Sequence, residues 1–532
     1  MKIFKRLISI LVIFCILISF SACGRFKKDT SVYWLLSSSI KNLDPQILSG
    51  ESETLIAKNC FSTLMVKNED GEIAYGDAEA YGVSKSGKTY VFKLKKDLEW
   101  AKFENKKVSS YAPLTAKDYM FAIRRIFTDN PDAPIMKTLK LIKNADKVLE
   151  GADASKLSIK CDDDYTLTIT LSEKNDSFID VFTSHYLSPC NEQFFKSCKG
   201  RYGLSNSELI YSGAFVISSM GESSIKLLPN KFYTNQKVSP DGITLYNPKE
   251  SRDIVSLLSE GSIDAADLSP ALYDSLQNTQ NFTTQNYDSY MWAIVFNPQS
   301  EIWQNKNLRQ AVLKCTDRSA LTQAHLKSSE RIVPASAVFD SQNYHTLTNS
   351  FNIPTYDTAA SKELYSNGLL EIEKTSIYNS EILVCDEKIH KDSFSNLNQI
   401  YQRELSLYFS PTYLSQSEIL KRVKENDFSC AVIPISLGGA SPMSVLSLLN
   451  SSSSSSLISF EMNGFENALT NARNESEQKN AVTHLLEAEK IISDNAYLIP
   501  LYTENRYFVY SKEVSGFKKD FDGDILFYNV TK

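Results

Sequence analysis

Between Tyr90 and Phe127 the spacing of apolar residues changes period. Tyr90, Phe92 and Leu94 alternate with Val91, Lys93 and Lys95, a period of two that predicts a strand. Tyr119, Ala122, Ile123 and Ile126 then recur at i, i+3, i+4 and i+7, the apolar stripe of a helix. Thr115, followed three residues later by Asp118, predicts the helix start through an acidic capping box. Lys117, Arg124 and Arg125 fall off the stripe and are expected to face water. The stretch between strand and helix, with Trp100 at its mouth, reads as a polar loop.

The same two periods recur along the chain. Strands are expected at 31–36, on both sides of a turn within 80–95, and at 166–171, 242–245, 381–384 and 506–510. The continuous apolar run 291–296 predicts a strand buried on both faces. Helices are expected at 53–65, 178–186, 308–321, 396–408, 416–424 and 477–493. A helix that ends in Gly261 and restarts as a strand at Ile263 is what an α/β unit requires. Residues 323–374 read as polar and loop-rich, and 450–456 (NSSSSSS) as a flexible surface loop.

Length makes this more than one core. The 532 residues imply two or three lobes. Apolar and charged fractions of 42% and 23% describe an ordinary globular protein. The chain is acidic, net −6, and has no basic cluster, which argues against nucleic acid as a partner.

At the N-terminus Lys2, Lys5 and Arg6 precede an apolar run from Leu7 to Phe20. That run is short against the ~20 residues of a bilayer span and fits a secretory signal. Phe20-Ser21-Ala22-Cys23 resembles a bacterial lipobox, which implies a signal peptide at 1–22 and a lipid on Cys23; Phe20 departs from the usual Leu. Two or three acyl chains there would hold the protein stably at the membrane's outer face. The competing reading is an uncleaved anchor helix. Seven cysteines follow Cys23, with no C-x-x-C. A Cys190–Cys198 bridge would span a short loop, but buried free thiols are preferred. The five histidines do not cluster, so no metal or other cofactor is expected.

Motifs of catalysis are missing. There is no G-x-S-x-G elbow, P-loop, G-x-G-x-x-G after a strand or H-E-x-x-H. We therefore expect no enzyme; a secreted hydrolase with a scattered triad is the alternative of another class. The triplet Asp162-Asp163-Asp164 lacks the glycine and distal glutamate of a calcium loop and reads as a solvated turn.

The order of parts resembles a known family. Y-x-F-x-L at 90–94, K-x-x-x-x-W at 95–100, a loop, then Leu114-Thr115-Ala116-x-Asp118 opening a helix is the pattern of extracellular solute-binding proteins of the oligopeptide/dipeptide/nickel class, which serve ABC importers. Asn42-Leu43-Asp44-Pro45, Ser212-Gly213-Ala214-Phe215, the run 308–321 (LRQAVLKCTDRSAL) and Ile499-Pro500-Leu501-Tyr502 are similar to further motifs of that family. The resemblance covers 31–528. It implies an α/β, two-lobed periplasmic-binding-protein-like fold (class II, Venus-flytrap) with an extra N-terminal subdomain. Lobe I would comprise 30–50, 200–288 and 495–532, the extra subdomain 51–199, and lobe II 289–494.

It also implies a monomer outside the cell, lipid-anchored, that closes on a small ligand, most naturally a peptide, and passes it to an ABC permease complex. In the peptide binders of the family a cleft Asp in a W-x-x-D-Y setting meets the ligand's terminal ammonium. Here Gly438 falls at that place, no Trp precedes it, and 428–460 contain no charged side chain. Our expectation is a ligand held by Ser436, Gly438 and Gly439, by Ser38 or Ser39, and by the aromatics Tyr290 and Trp292, glycines letting the backbone approach closely. The competing reading makes 431–435 a core strand, with a neighbouring carboxylate in place of the missing one. A non-peptide ligand, or a sensor or adhesin uncoupled from transport, are the alternatives. Arg309 is read as satisfying orphan backbone groups at a helix end, with an anion clamp as the rival role.

Overall fold

The computed structural model describes residues 30–48, 50–67, 73–133, 135–247, 253–321, 326–333, 356–437, 442–451, 456–475, 478–519 and 524–532. Eleven strands form one continuous sheet. They are β1 (Val32–Leu35), β2 (Phe215–Met220), β3 (Ser224–Pro229), β4 (Ile243–Tyr246), β5 (Ala265–Leu268) and β6 (Phe282–Phe296), followed by β7 (Leu326–Ser328), β8 (Tyr378–Cys385), β9 (Tyr408–Leu414), β10 (Cys430–Ser436) and β11 (Leu498–Ser511). Their order is β2-β3-β4-β1-β5-β11-β6-β10-β8-β9, with β7 paired to the free edge of β11. Around them pack helices α1 (Glu51–Cys60), α2 (Ala116–Asp129), α3 (Lys306–Cys315), α4 (Thr358–Glu371), α5 (Lys388–Leu405) and α6 (Gln478–Asn495).

The sheet is continuous but its cores are not. One apolar cluster gathers residues from Val32 to Ala265 with Phe508 to Val530. A small one covers the opposite face of β5, from Val255 to Leu276 with Val509. The third runs from Met291 to Tyr502. Two α/β lobes therefore share a sheet and are bridged by the two long strands β6 and β11. The extra N-terminal part is a four-stranded sheet, Ala78–Val83, Thr89–Leu94, Thr166–Thr170 and Ile159–Asp163, whose inward side chains join the first lobe's core.

The stretch that opened the reading folds as strand, hairpin and helix. The expected polar loop is a β-hairpin, Glu99–Glu104 against Lys107–Pro113. Trp100 is fully buried there and donates Nε1–H to Asp118 Oδ2 at 3.3 Å. Asp118 also takes the backbone N–H of Thr115 at 2.8 Å, closing the capping box. Arg125 is not on a wet face. It is buried, stacks on Phe195 at 3.8 Å and forms an ion pair with Asp44 at 2.6 Å. Two motifs 81 positions apart thus meet in the first lobe's core.

Other elements shift. The expected helix 178–186 is two 3-10 segments, Asp176–Thr183 and His185–Leu187. The helix expected at 53–65 ends at Cys60, and Met65–Lys67 is a strand. Within the stretch read as loop lies the 14-residue α4. Gly368, which looks like a breaker, lets it press on α3: a Cβ there would stand 2.7 Å from Leu308 Cγ. Arg309 serves the backbone, donating to the carbonyls of Trp303, Gln304 and Asn495 at 2.7–2.9 Å. Arg318 likewise donates to Ser329 O and Pro500 O. The cysteines at 60, 161, 190, 198, 315, 385 and 430 are all free.

Candidate ligand site at the lobe crossing

In open α/β sheets ligands sit outside the carboxyl ends of the strands. Here those ends converge from both sides. β1, β4 and β5 run parallel in the first lobe; β8 and β10 run parallel in the second. β5 ends with Leu268 opposite Tyr507 of β11, and β10 ends with Ser436 opposite Tyr290 of β6. Both therefore stop at the place where β6 and β11 pass from one lobe to the other.

Along β6 and β11 the pairing changes at that place. Phe282–Asp288 lie against Asn505–Ser511, and from Tyr290 the register resumes against Glu504, leaving a bulge at Ser289. Bulges bend and twist a strand pair. The side chains change too: the sequence here is Asp288-Ser289 on one strand and Thr503-Glu504-Asn505-Arg506 on the other. All but Arg506 are buried. A buried polar layer thus separates two apolar cores, and buried polar groups need partners.

Those partners form two groups. Arg506 Nε meets Asp267 Oδ1 at 3.3 Å, and Asp267 also accepts from Tyr287 OH. Lys327 of β7 reaches Asp288 at 3.6 Å. Next to Tyr290 a second group assembles. Glu504 Oε2 accepts the indole N–H of Trp292 at 2.7 Å. The His390 ring lies 3.9 Å from that indole and its Nδ1 is 2.9 Å from Tyr502 OH. Burial pushes the His390 imidazole down to about 4, so it is neutral near pH 7. Burial raises the Glu504 carboxyl above the usual range, with the charge of Glu387 adding to it and the Trp292 hydrogen bond and the charge of Arg506 opposing it.

Tyr290, Trp292 and Ser436 come together because Tyr290 opposes Ser436 while Trp292 lies two residues further on the same strand. Trp292 is 1% exposed; Ser436 is exposed and Tyr290 half-buried. Ser38 and Ser39 are exposed beyond the carboxyl end of β1, on the other lobe, with Ser38 N–H held by Ser52 Oγ at 2.9 Å. They do not join the Tyr290 group: β5 and β11 lie between β1 and β6. Cys23, Gly438 and Gly439 lie outside the described residues. Sequence reading missed Glu504, His390 and Asp288. Tyr502 belongs to the I-P-L-Y motif and was the one visible pointer to this layer.

Two α/β lobes hinged on paired crossing strands, with strand ends facing the crossing, define the class of two-lobed solute-binding proteins. The chain belongs to the bacterial extracellular solute-binding proteins, family 5, whose middle-region profile matches residues 72–456. This is a family of binding proteins, not of enzymes. Among curated relatives, the oligopeptide-binding protein SarA of Streptococcus gordonii is 27% identical over 64% of this chain. The matched region spans 53% of that relative, about half its length. The dipeptide-binding protein DppE of Bacillus subtilis is 20% identical over 89% of this chain and 87% of its own. Among solved structures, Listeria monocytogenes OppA bound to peptide superposes with a TM-score of 0.70 at 20% identity, covering 95% of this chain and 99% of that one. No helix among the described residues is long and apolar enough to cross a membrane.

Proposed function

We propose that the protein captures a peptide, or a peptide-like solute, at the lobe crossing and delivers it to the permease of an ABC importer. The observation that carries this is the convergence of strand carboxyl ends from both lobes on a buried polar layer. The names of the curated relatives support the ligand class. The moving bodies are the lobes drawn from the sequence, hinged where β6 and β11 change register. Closure of such lobes buries the ligand between them. The chain acts as a monomer, anchored outside the cell through lipid on Cys23; loss of incorporated palmitate in Cys23→Ala tests the anchor.

Thermal shift and calorimetry with a panel of free peptides, sugars and metal chelates test the ligand class. A ligand at ~100-fold excess over its Kd adds about 2.7 kcal/mol of stability. Stabilisation by peptides is expected. Stabilisation by another class alone would favour the non-peptide reading raised by Gly438, and no response from any of them would favour the sensor or adhesin.

A further inference from the structure

Away from the crossing, the second lobe carries a cavity of about 420 Å³. Sites that take small ligands run from about 300 to 1,000 Å³. Tyr497, which directly precedes β11, lines it. Glu504 stands further along the same extended chain, about 20 Å away at the rise of a strand. The cavity is therefore separate from the polar layer at the crossing.

Its lining combines an apolar base with polar groups. Met462 and Phe465 are buried and belong to the second lobe's core. Asn463, Asn467, Glu461 and Glu466 also line it, and all four are exposed. The amides of Asn463 and Asn467 and the carboxylate of Glu461 make no hydrogen bond or ion pair among the described residues. The Tyr497 ring is half-buried and is braced by residues that do not line the cavity. The Arg309 guanidinium stands over it at 4.8 Å, itself locked by three carbonyls. Phe460 packs beside it at 6.0 Å.

These groups narrow the ligand class. Two carboxylates with no lysine, arginine or histidine in the lining repel an anion. No group of three or more metal-ligating acids, histidines or cysteines occurs among the described residues, so the pair does not make a metal centre. The cavity offers one open ring, Tyr497, where a cage for an organic cation uses several. A neutral molecule with an apolar face and many hydroxyls fits what is left. A pyranose has both: its ring C–H groups pack on an aromatic face, and its hydroxyls donate and accept. Carboxylates accept and amides do both.

We propose that this cavity is a second ligand site that takes an uncharged saccharide, one pyranose ring stacked on Tyr497 and its hydroxyls bonded to Asn463, Asn467 and Glu461. Arg309 acts through Tyr497 and is a positioning residue. The site does not depend on peptide capture, and both can be filled at once.

Isothermal titration calorimetry of the full chain tests this with cellotriose, maltotriose and tri-N-acetylchitotriose, and with trigalacturonic acid and spermidine as charged probes. At least one neutral trisaccharide is expected to bind, equally well with a free pentapeptide in excess, and trigalacturonic acid is not. Asn463→Ala and Asn467→Ala, both at exposed positions, should each weaken that binding about two- to ten-fold, the worth of one hydrogen bond. Tyr497→Ala should abolish it and Tyr497→Phe should keep it. Failure of every neutral trisaccharide to bind overturns the proposal. So does binding that both asparagine variants leave unchanged, or that the pentapeptide displaces, because the sugar then sits elsewhere. Spermidine bound more tightly than every trisaccharide also overturns it. The asparagine variants keep the test decisive if Tyr497→Ala does not fold, and none of these results bears on whether peptides bind at the crossing.

Discussion

Asp44, in the core of the first lobe, is clasped by Arg125 Nη2 at 2.6 Å and Nη1 at 3.2 Å. Glu504, at the crossing, is held by one indole N–H at 2.7 Å and forms no ion pair with a lysine or arginine among the described residues, the charge of Arg506 reaching it from a guanidinium already paired with Asp267. Both carboxylates are buried. The first sits inside a single apolar core, where the chain supplies its own counter-charge and the pair ties the N-L-D-P turn to α2. The second sits where two cores part, and there the chain's own cations Arg506 and Lys327 are paired with Asp267 and Asp288. A buried carboxylate matched by a single hydrogen bond costs the fold more than one clasped by its own guanidinium.

Removing Arg125 gives the largest effect expected from this comparison. Arg125→Ala strands Asp44 in the core and should lower stability by about 3–5 kcal/mol. Urea unfolding read by tryptophan emission checks it, since Trp100 lies in the same apolar cluster. Acidification comes next. The folded protein holds His390 at about 4, against ~6.5 for an ordinary imidazole, a difference worth about 3 kcal/mol. The folded state binds fewer protons than the unfolded one in this window. The contribution is present above pH ~6.5 and drains away as pH falls to about 4. His390→Gln should flatten that part of the stability profile relative to the wild type.

Trp292→Phe removes the charge-assisted hydrogen bond to Glu504 and should cost about 1.5–3 kcal/mol in the ligand-free protein. The smallest effect is the sharpest test of sign. The carboxyl of Glu504 is raised, so its ionisation opposes folding: the group favours the fold at low pH and that contribution is lost as pH rises through its raised pKa. Glu504→Gln should therefore gain on the ligand-free wild type as pH increases. A loss that grows with pH would mean that Glu504 is already neutralised inside the protein.

Much of the fold was legible because local signals agree with it. The helix at 416–424 was readable to the residue: Ser415 and Glu418 form a full capping box. The strand at 291–296 was readable because every residue is buried. α4 was not, since its apolar residues form no stripe and Gly368 earns its place only through contact with α3. The burial of Arg125 was hidden as well, because its partner Asp44 is distant in sequence and its neighbour Arg124 reads as surface. The site was less legible still. No local pattern tells that Tyr290 will face both Ser436 and Glu504; that follows from the pairing of three distant strands. Glu504 also precedes the strand expected at 506–510, whereas β11 begins at Leu498.

The most direct test of ligand capture at the crossing is photo-crosslinking with a free pentapeptide that carries a benzoylphenylalanine at its centre, mapped by mass spectrometry. The account predicts labels within 286–292, 434–437 and 502–507, or on the strand-end segments 37–39 and 386–390. Labels confined to the surface pocket of about 420 Å³ beside Asn463 and Tyr497, at the far end of β11, would contradict it.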